Sequence, residues 1–62
     1  MTVKVTNIYS EETQTFKGEP EQIRSELRAR YEWLQNYGYS TLQQELEKLG
    51  NAQAYNVEVS LD

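Results

Sequence analysis

The sequence predicts a small α+β domain of order β-β-α-α-β, in which two helices pack on one face of a three-stranded sheet. Two observations support this prediction. Residues 55–61, YNVEVSL, alternate apolar and polar side chains as a half-buried strand does, and two central stretches repeat apolar residues at helical spacing. A chain of 62 residues is long enough for one hydrophobic core, so we predict a single domain over residues 1–62.

The N-terminal part predicts a β-hairpin at about residues 2–17. β-Branched and aromatic residues predominate there, and Val3 and Val5 alternate with polar neighbours. Ile8 falls out of that phase, so either a β-bulge just before it returns it to the core side, or a twist covers both faces. Phe16 marks the core side of the second strand.

The first helix is predicted at about residues 20–36. Pro20 suits the first helical turn, where its missing N–H is not needed. Gly18 breaks the preceding strand, and Gly38 can take the left-handed conformation that closes a helix. The apolar stripe of this helix consists of Ile23, Leu27, Tyr31 and Leu34.

The second helix is predicted at about residues 41–49, with Ser40 and Gln43 as a capping box and Gly50 as the terminating residue. Its apolar stripe consists of Leu42, Leu46 and Leu49, and its predicted solvent side consists of Gln43, Gln44, Glu45, Glu47 and Lys48. We expect the two helices to form an antiparallel hairpin with a short loop.

The last strand is predicted at about residues 54–61, with Tyr55, Val57, Val59 and Leu61 on one face. If every element reverses the chain, this strand runs parallel to the first strand. It could lie beside either of the first two strands, and we favour the first, because the helix pair then serves as a right-handed crossover between parallel neighbours.

The composition excludes several chemistries. Ten acidic and six basic residues give a net charge of −4, which opposes binding to nucleic-acid phosphates and to anionic membranes. The chain has neither histidine nor cysteine, so the commonest general base, the thiol nucleophile and the usual zinc ligands are missing. We therefore predict no enzyme activity, no cofactor and no metal. With no signal-like or membrane-spanning segment, we expect a cytoplasmic location and no membrane partner.

Two acidic pairs, Glu11 with Glu12 and Glu19 with Glu21, contain the oxygen ligands that a carboxylate dyad or a calcium site would use. No calcium-loop spacing surrounds them. We interpret them as a solvated turn and a helix start, where negative charge favours the helix dipole.

Three arginines on the first predicted helix, Arg24, Arg28 and Arg30, adjoin aromatic residues, a combination used to bind single-stranded nucleic acid. Each has an acidic residue at helical spacing: Glu21 for Arg24, Glu32 for Arg28 and Glu26 for Arg30. We therefore interpret them as an ion-paired, solvated surface and keep nucleic-acid binding as the alternative function.

The stretch RYEWLQNYGYS at 30–40 holds four of the seven aromatic residues. Tyr31 belongs to the core stripe of the first helix. Trp33, Tyr37 and Tyr39 are not fixed by either helical stripe, and such aromatics are enriched at the energetic centres of protein interfaces. They form the candidate partner surface, and the competing interpretation is that they pack the corner between the helices.

The segment TQTFKGEPEQIRSELRARYEWLQ, with its core F-x-G-x-P-E-x-I at 16–23, resembles the opening of short uncharacterised cyanobacterial proteins, families known as domains of unknown function. The resemblance covers about a third of the chain. It implies a bacterial cytoplasmic setting and carries over no catalytic or binding residue.

The sequence therefore favours a small acidic, non-enzymatic protein-interaction or accessory module that binds another protein or itself. A single-stranded nucleic-acid binder is the alternative, and a small-ligand carrier is a third hypothesis. A weak dimer is expected because the last strand carries few charges, Glu58 and Asp62, to protect its edge.

Overall fold

A computed structural model describes residues 1–61, so Asp62 and the end of the predicted domain lie outside the described residues. The elements are β1 (Thr2–Asn7), β2 (Thr13–Lys17), α1 (Pro20–Arg30), a 3₁₀ helix (Glu32–Tyr37), α2 (Leu42–Asn51) and β3 (Tyr55–Ser60). The predicted α+β class and the β-β-α-α-β order are confirmed.

Within residues 1–61 the strands form one antiparallel sheet in the order β2-β1-β3. β1 and β2 pair as the predicted hairpin, with Val3 opposite Phe16. β3 lies beside β1, as predicted, with Val59 opposite Val3. The predicted direction of β3 is wrong, because β3 runs antiparallel to β1.

The first helix is shorter than predicted, because α1 ends at Arg30 instead of near residue 36. Tyr31 leaves the helical conformation, with φ −120° and ψ 76°. Its ring meets Phe16 of β2 and Tyr55 of β3 edge to face, so the departure from the helix keeps the ring in the core.

The chain between α1 and α2 forms the 3₁₀ helix, which Gly38 closes in the predicted left-handed conformation, with φ 63°. The predicted short-loop helix hairpin is therefore wrong. The prediction of a parallel β3 counted one reversal of direction per element and did not include this 3₁₀ helix.

α2 begins at a capping box one residue later than predicted. Thr41 Oγ1 accepts a hydrogen bond from the backbone N–H of Gln44 at 3.2 Å, and Gln44 Oε1 accepts one from the backbone N–H of Thr41 at 3.3 Å. The prediction of Ser40 with Gln43 is wrong because Gln44 is the glutamine that reaches back over the helix start.

The C-terminal end of α2 also differs from the prediction. Gly50 lies inside the helix and does not have a positive φ. The helix continues to Asn51 and closes when the N–H of Ala52 donates to the carbonyl of Lys48 at 3.0 Å. α2 therefore ends two residues later than the predicted helix.

β1 ends before Ile8, which is 48% exposed. Asn7 Oδ1 accepts hydrogen bonds from the backbone N–H groups of Tyr9 and Ser10, at 2.9 and 3.1 Å, so a turn begins at Asn7. Neither the predicted bulge nor the predicted double-sided twist occurs, because Ile8 already belongs to the turn.

The core lies between the sheet and the helices. Its buried members are Val3, Val5, Phe16, Ile23, Leu27, Tyr31, Leu34, Leu42 and Leu49. The predicted apolar stripe of the first helix is therefore confirmed, including Tyr31, although the 3₁₀ helix supplies Leu34. Leu46 is half-buried and packs against the edge of this core, whereas Val59, near the end of β3, is 48% exposed.

Candidate functional site

Trp33, Tyr37 and Tyr39, the predicted partner surface, lie together, and we call them the aromatic corner. The left-handed turn at Gly38 brings Tyr39 back against Tyr37, so that the two rings stack at 5.5 Å between centroids with 11° between their planes. Trp33 meets Tyr37 edge to face at 6.2 Å. The structure thus joins the three side chains into one cluster.

The rings of the aromatic corner mainly contact groups of the same chain. Trp33 is half-buried against the core, Tyr39 is half-buried, and Tyr37 is half-exposed. The ammonium group of Lys48 lies over the Tyr37 ring, 4.6 Å from its centroid. These contacts leave the edge of Tyr37 as the main exposed aromatic surface, and a partner-binding role for the corner stays a prediction.

Arg24 is buried, so the prediction that it lies on a solvated surface is wrong. Its Nε donates to Glu45 Oε1 at 2.6 Å, one terminal nitrogen donates to Glu21 at 3.1 Å, and the other donates to the carbonyl of Tyr39 at 3.0 Å. The hydrogen bonds to Glu45 and then to Glu21 raise the pKa of Arg24 above its ordinary value. Its predicted pairing with Glu21 is confirmed. The other hydrogen bonds of its guanidinium connect α1 to Glu45 of α2 and to the Tyr39 carbonyl in the segment before α2.

Glu45, predicted on the solvent side of α2, is 1% exposed. Its Oε1 binds Arg24, and within residues 1–61 its Oε2 has no hydrogen-bond donor, with Arg28 Nε at 3.9 Å. A signal for this burial is present in the sequence, because Leu42, Glu45 and Leu49 recur at spacings of three and four. They form the buried side of α2, and a carboxylate there needs a cationic partner.

The other two arginines do not extend a basic surface from Arg24. Arg28 Nε donates to the carbonyl of Arg24 at 3.4 Å and faces Glu45, while the Arg30 guanidinium lies over the Tyr31 ring at 5.7 Å. In the described part of the chain, the predicted ion pairs to Glu32 and Glu26 are not formed. Arg24 and Arg28 therefore both face Glu45, and Arg30 lies apart from them over the Tyr31 ring.

An apolar groove lies between α2 and β3, and the sequence predictions did not include it. We call it the α2–β3 groove; its apolar lining consists of Met1, Pro20, Leu42, Leu46, Val57, Val59 and Leu61. It is open to solvent and has a volume of about 800 Å³. This is the size of cavity that binding sites for apolar groups occupy.

The groove exists because α2 does not cover the C-terminal half of β3. On the face of β3 that points toward the helices, Tyr55 and Val57 are half-buried, whereas Val59 is 48% exposed. Leu61 continues this row and is 82% exposed. The sequence signal was Leu46: because Glu45 occupies the buried stripe, Leu46 lies at the edge of the core, half-buried, and also lines the groove.

Among residues 1–61, no group of three or more His, Cys, Asp and Glu side chains is placed to hold a metal ion. No helix formed by these residues is long and apolar enough to cross a membrane.

No protein-family model, no curated protein and no solved structure matches this chain. The fold and the groove together define a small α+β domain with an open apolar cleft beside an edge strand. The resemblance to short cyanobacterial proteins stays a prediction.

Proposed function

We propose that this protein is a non-enzymatic protein-interaction module of the bacterial cytoplasm that binds an extended polypeptide segment in the α2–β3 groove. The observation that carries the proposal is the exposure of Val59 and Leu61, 48% and 82%, on the apolar row of β3. Contiguous exposed apolar surface of this kind costs solvation free energy in the isolated chain and is typical of interaction sites.

The groove and the edge of β3 together suit an extended segment. A strand added to a sheet edge gains backbone hydrogen bonds, and its alternate side chains can enter a neighbouring apolar cleft. Leu42 and Leu46 form the helical wall of that cleft, and Val57 and Val59 form its floor. Affinity would come from the backbone pairing, and selectivity from side chains that fit between these walls.

The groove is favoured over the two surfaces that the sequence suggested. In the aromatic corner, Tyr37 already contacts Tyr39, Trp33 and Lys48. In the arginine set, Arg24 is buried in hydrogen bonds, which removes it from phosphate recognition and weakens the nucleic-acid alternative. The net charge of −4 points the same way.

The test compares variants as bait and then as purified proteins. Wild type, Leu61→Lys, Tyr37→Ala and Ile8→Lys are used to capture proteins from a bacterial extract, and dissociation constants are then measured by calorimetry for each captured protein. Ile8 is the matched control, since it is an exposed apolar residue at the end of β1 and does not line the groove.

We expect Leu61→Lys to weaken binding at least about tenfold, because a charge replaces an apolar contact, while Ile8→Lys binds like wild type. A partner that binds Leu61→Lys as tightly as wild type would show that the groove is not the site. If Tyr37→Ala alone weakens binding, the aromatic corner is the partner surface and the groove proposal is wrong.

A further inference from the structure

The backbone of β3 offers hydrogen-bonding groups on its outer edge, and the ladder shows which residues carry them. Ile8 N–H donates to the carbonyl of Ala54 at 2.9 Å, one step beyond the pair Asn7 and Tyr55. In an antiparallel ladder, hydrogen-bonded and non-hydrogen-bonded pairs alternate. The β3 residues bonded to β1 are therefore the even-numbered ones, and Val57 and Val59 direct their N–H and C=O groups away from β1.

The other side of the sheet confirms this alternation. Asn7 N–H donates to the carbonyl of Glu12 at 2.9 Å, and Gly18 N–H donates to the carbonyl of Met1 at 3.1 Å. Odd-numbered residues of β1 thus bond to β2 and even-numbered ones bond to β3, as a central antiparallel strand requires. Within residues 1–61, no strand lies on the outer edge of β3.

We propose that a second copy of this chain occupies this edge: the two β3 strands pair antiparallel about a two-fold axis at Val59, and each copy covers the groove of the other. This inference rests on the proposed function, since it names the partner of the α2–β3 groove. The product is a continuous sheet in the order β2-β1-β3-β3-β1-β2, with an interface that is the same on both copies.

The register follows from the hydrogen bonds and from charge. An axis at Val57 would place Tyr55 in a hydrogen-bonded pair, but the N–H of Tyr55 already donates to the carbonyl of Ala52 at 3.2 Å. An axis at Glu58 would set two carboxylates directly opposite each other, which is destabilising. An axis at Val59 avoids both, because Val57 lies opposite the partner's Leu61 and Glu58 lies opposite the partner's Ser60.

The same register covers the exposed apolar row. Val59 lies opposite the buried Val3 in the sheet, so its side chain is on the face that the helices cover. Residues directly opposite each other in neighbouring strands point to the same face, so the partner's Val59 and the partner's Leu61 are on that face as well. Val57 and Val59 of one copy then contact the partner's Leu61 and the partner's Val59 beside the groove. The pairing therefore removes from water Leu61, which is 82% exposed, and Val59, which is 48% exposed.

The dimer is expected to be weak and sensitive to salt. A standard interface covers about 800 Å² of each partner, about one-fifth of the 4255 Å² surface of this small chain, and one strand pair covers less. Each copy carries a net charge of −4, so the copies repel each other at low ionic strength. We expect the dissociation constant to fall as salt is raised.

The first test is sedimentation of the full chain from micromolar to millimolar concentration, with two proline variants. Val59→Pro removes an outward N–H that the fold does not use, a change that edge strands tolerate. Thr15→Pro is the matched control, because Thr15 is an exposed residue on the other edge strand, β2, and by the same alternation its N–H also points outward. We expect wild type and Thr15→Pro to dimerise alike and Val59→Pro to dimerise at least about tenfold more weakly.

The second test uses the absence of cysteine from the chain. In the proposed register the two Val59 positions form a hydrogen-bonded pair with about 5.5 Å between Cα atoms, which is within disulfide range. With oxidised glutathione as the oxidant, Val59→Cys should form a covalent dimer much faster than Val57→Cys or Ile8→Cys. Faster cross-linking of Val57→Cys would overturn the register.

Two outcomes overturn the inference as a whole. One is a wild-type protein that stays monomeric at millimolar concentration, and the other is a dimer that Val59→Pro leaves unchanged. Neither outcome decides the proposed function, which is measured separately by the effect of Leu61→Lys on a captured heterologous partner. A monomer whose captured partner is lost with Leu61→Lys would retain the groove as a binding site and remove only the second copy.

Discussion

β1 and β3 carry nearly the same residue pattern, VKV at 3–5 and VEV at 57–59, and lie side by side with Val3 opposite Val59. Their valines nevertheless differ in burial: Val3 is fully buried and Val59 is 48% exposed. Alternation determines which face a side chain points to, but neighbouring elements determine whether that face is covered. β1 has a strand on each side, whereas β3 has one neighbour within residues 1–61 and an incomplete helical cover.

This difference in burial indicates that β1 and β3 contribute differently to folding and to association. The central strand contributes to stability because its apolar row is removed from water, at roughly 25 cal/mol per Å² of buried area. The edge strand leaves part of its apolar row exposed, and in the proposed dimer this row and the outer backbone groups bind the second copy. Substitutions in β1 should therefore change folding, and equivalent substitutions at the end of β3 should change association.

The largest expected effect comes from placing a lysine at each of the two opposite valines. Val3→Lys buries an ammonium group at a position with no exposure, which costs several kcal/mol and exceeds what a domain this small can lose. Val59→Lys lets the side chain reach solvent. Circular dichroism at low protein concentration should show Val3→Lys largely unfolded and Val59→Lys melting close to wild type. Loss of structure in Val59→Lys would mean that the edge is packed after all.

A smaller effect is expected from truncating two leucines that differ in cover. Leu27 is fully buried on α1, and Leu27→Ala should lower the free energy of unfolding by about 2–5 kcal/mol. Leu61 is 82% exposed, and Leu61→Ala should change the free energy of unfolding by less than about 0.5 kcal/mol. Urea unfolding measures both, and equal values for the two variants would contradict the core assignment.

A still smaller effect separates the observed capping box from the predicted one. α2 forms both the cover of the core and the wall of the groove. Thr41→Ala should destabilise the protein by about 1 kcal/mol, because the backbone N–H of Gln44 loses its acceptor. Ser40→Ala, one residue away, should have little effect on the melting temperature. A larger loss with Ser40→Ala than with Thr41→Ala would favour the original prediction.

The smallest effect concerns Tyr31, whose ring joins the two edge strands by contacts with Phe16 and Tyr55. Burial, and then the nearby Tyr55, raise the pKa of Tyr31 above its ordinary value. The neutral phenol therefore adds stability below the unfolded-state pKa of about 10, and this stability is lost as pH rises through the folded-state value.

Melting temperatures at about pH 8 and about pH 11 measure this loss. The decrease should be smaller in Tyr31→Phe than in wild type. Tyr9→Phe is the matched control, because Tyr9 is 78% exposed, and it should behave like wild type. An equal decrease in all three proteins would show that Tyr31 does not contribute.

The sequence predicted the aromatic corner but not the α2–β3 groove. The aromatic corner was predicted as a cluster near the end of the first helix, and Trp33, Tyr37 and Tyr39 do lie together. The groove was missed, because Leu46 was assigned to the core stripe and Glu45 to solvent. In the structure Glu45 is buried and Leu46 lines the groove. The side of α2 that was predicted to be polar and solvated is therefore in part the wall of an apolar cleft.

The sequence by itself determined the class of fold, the identity and order of the helices and strands, and the inward face of β1 and α1. These properties are local, since they depend on a period of two or 3.6 residues, on Pro20 and on Gly38. Only the tertiary structure decided the direction of β3, the pairing of Glu45 with Arg24 and the open end of β3. The direction and the open end depend on how distant elements are arranged and how far α2 extends over β3, and the pairing joins residues 21 positions apart, so no local residue pattern records them.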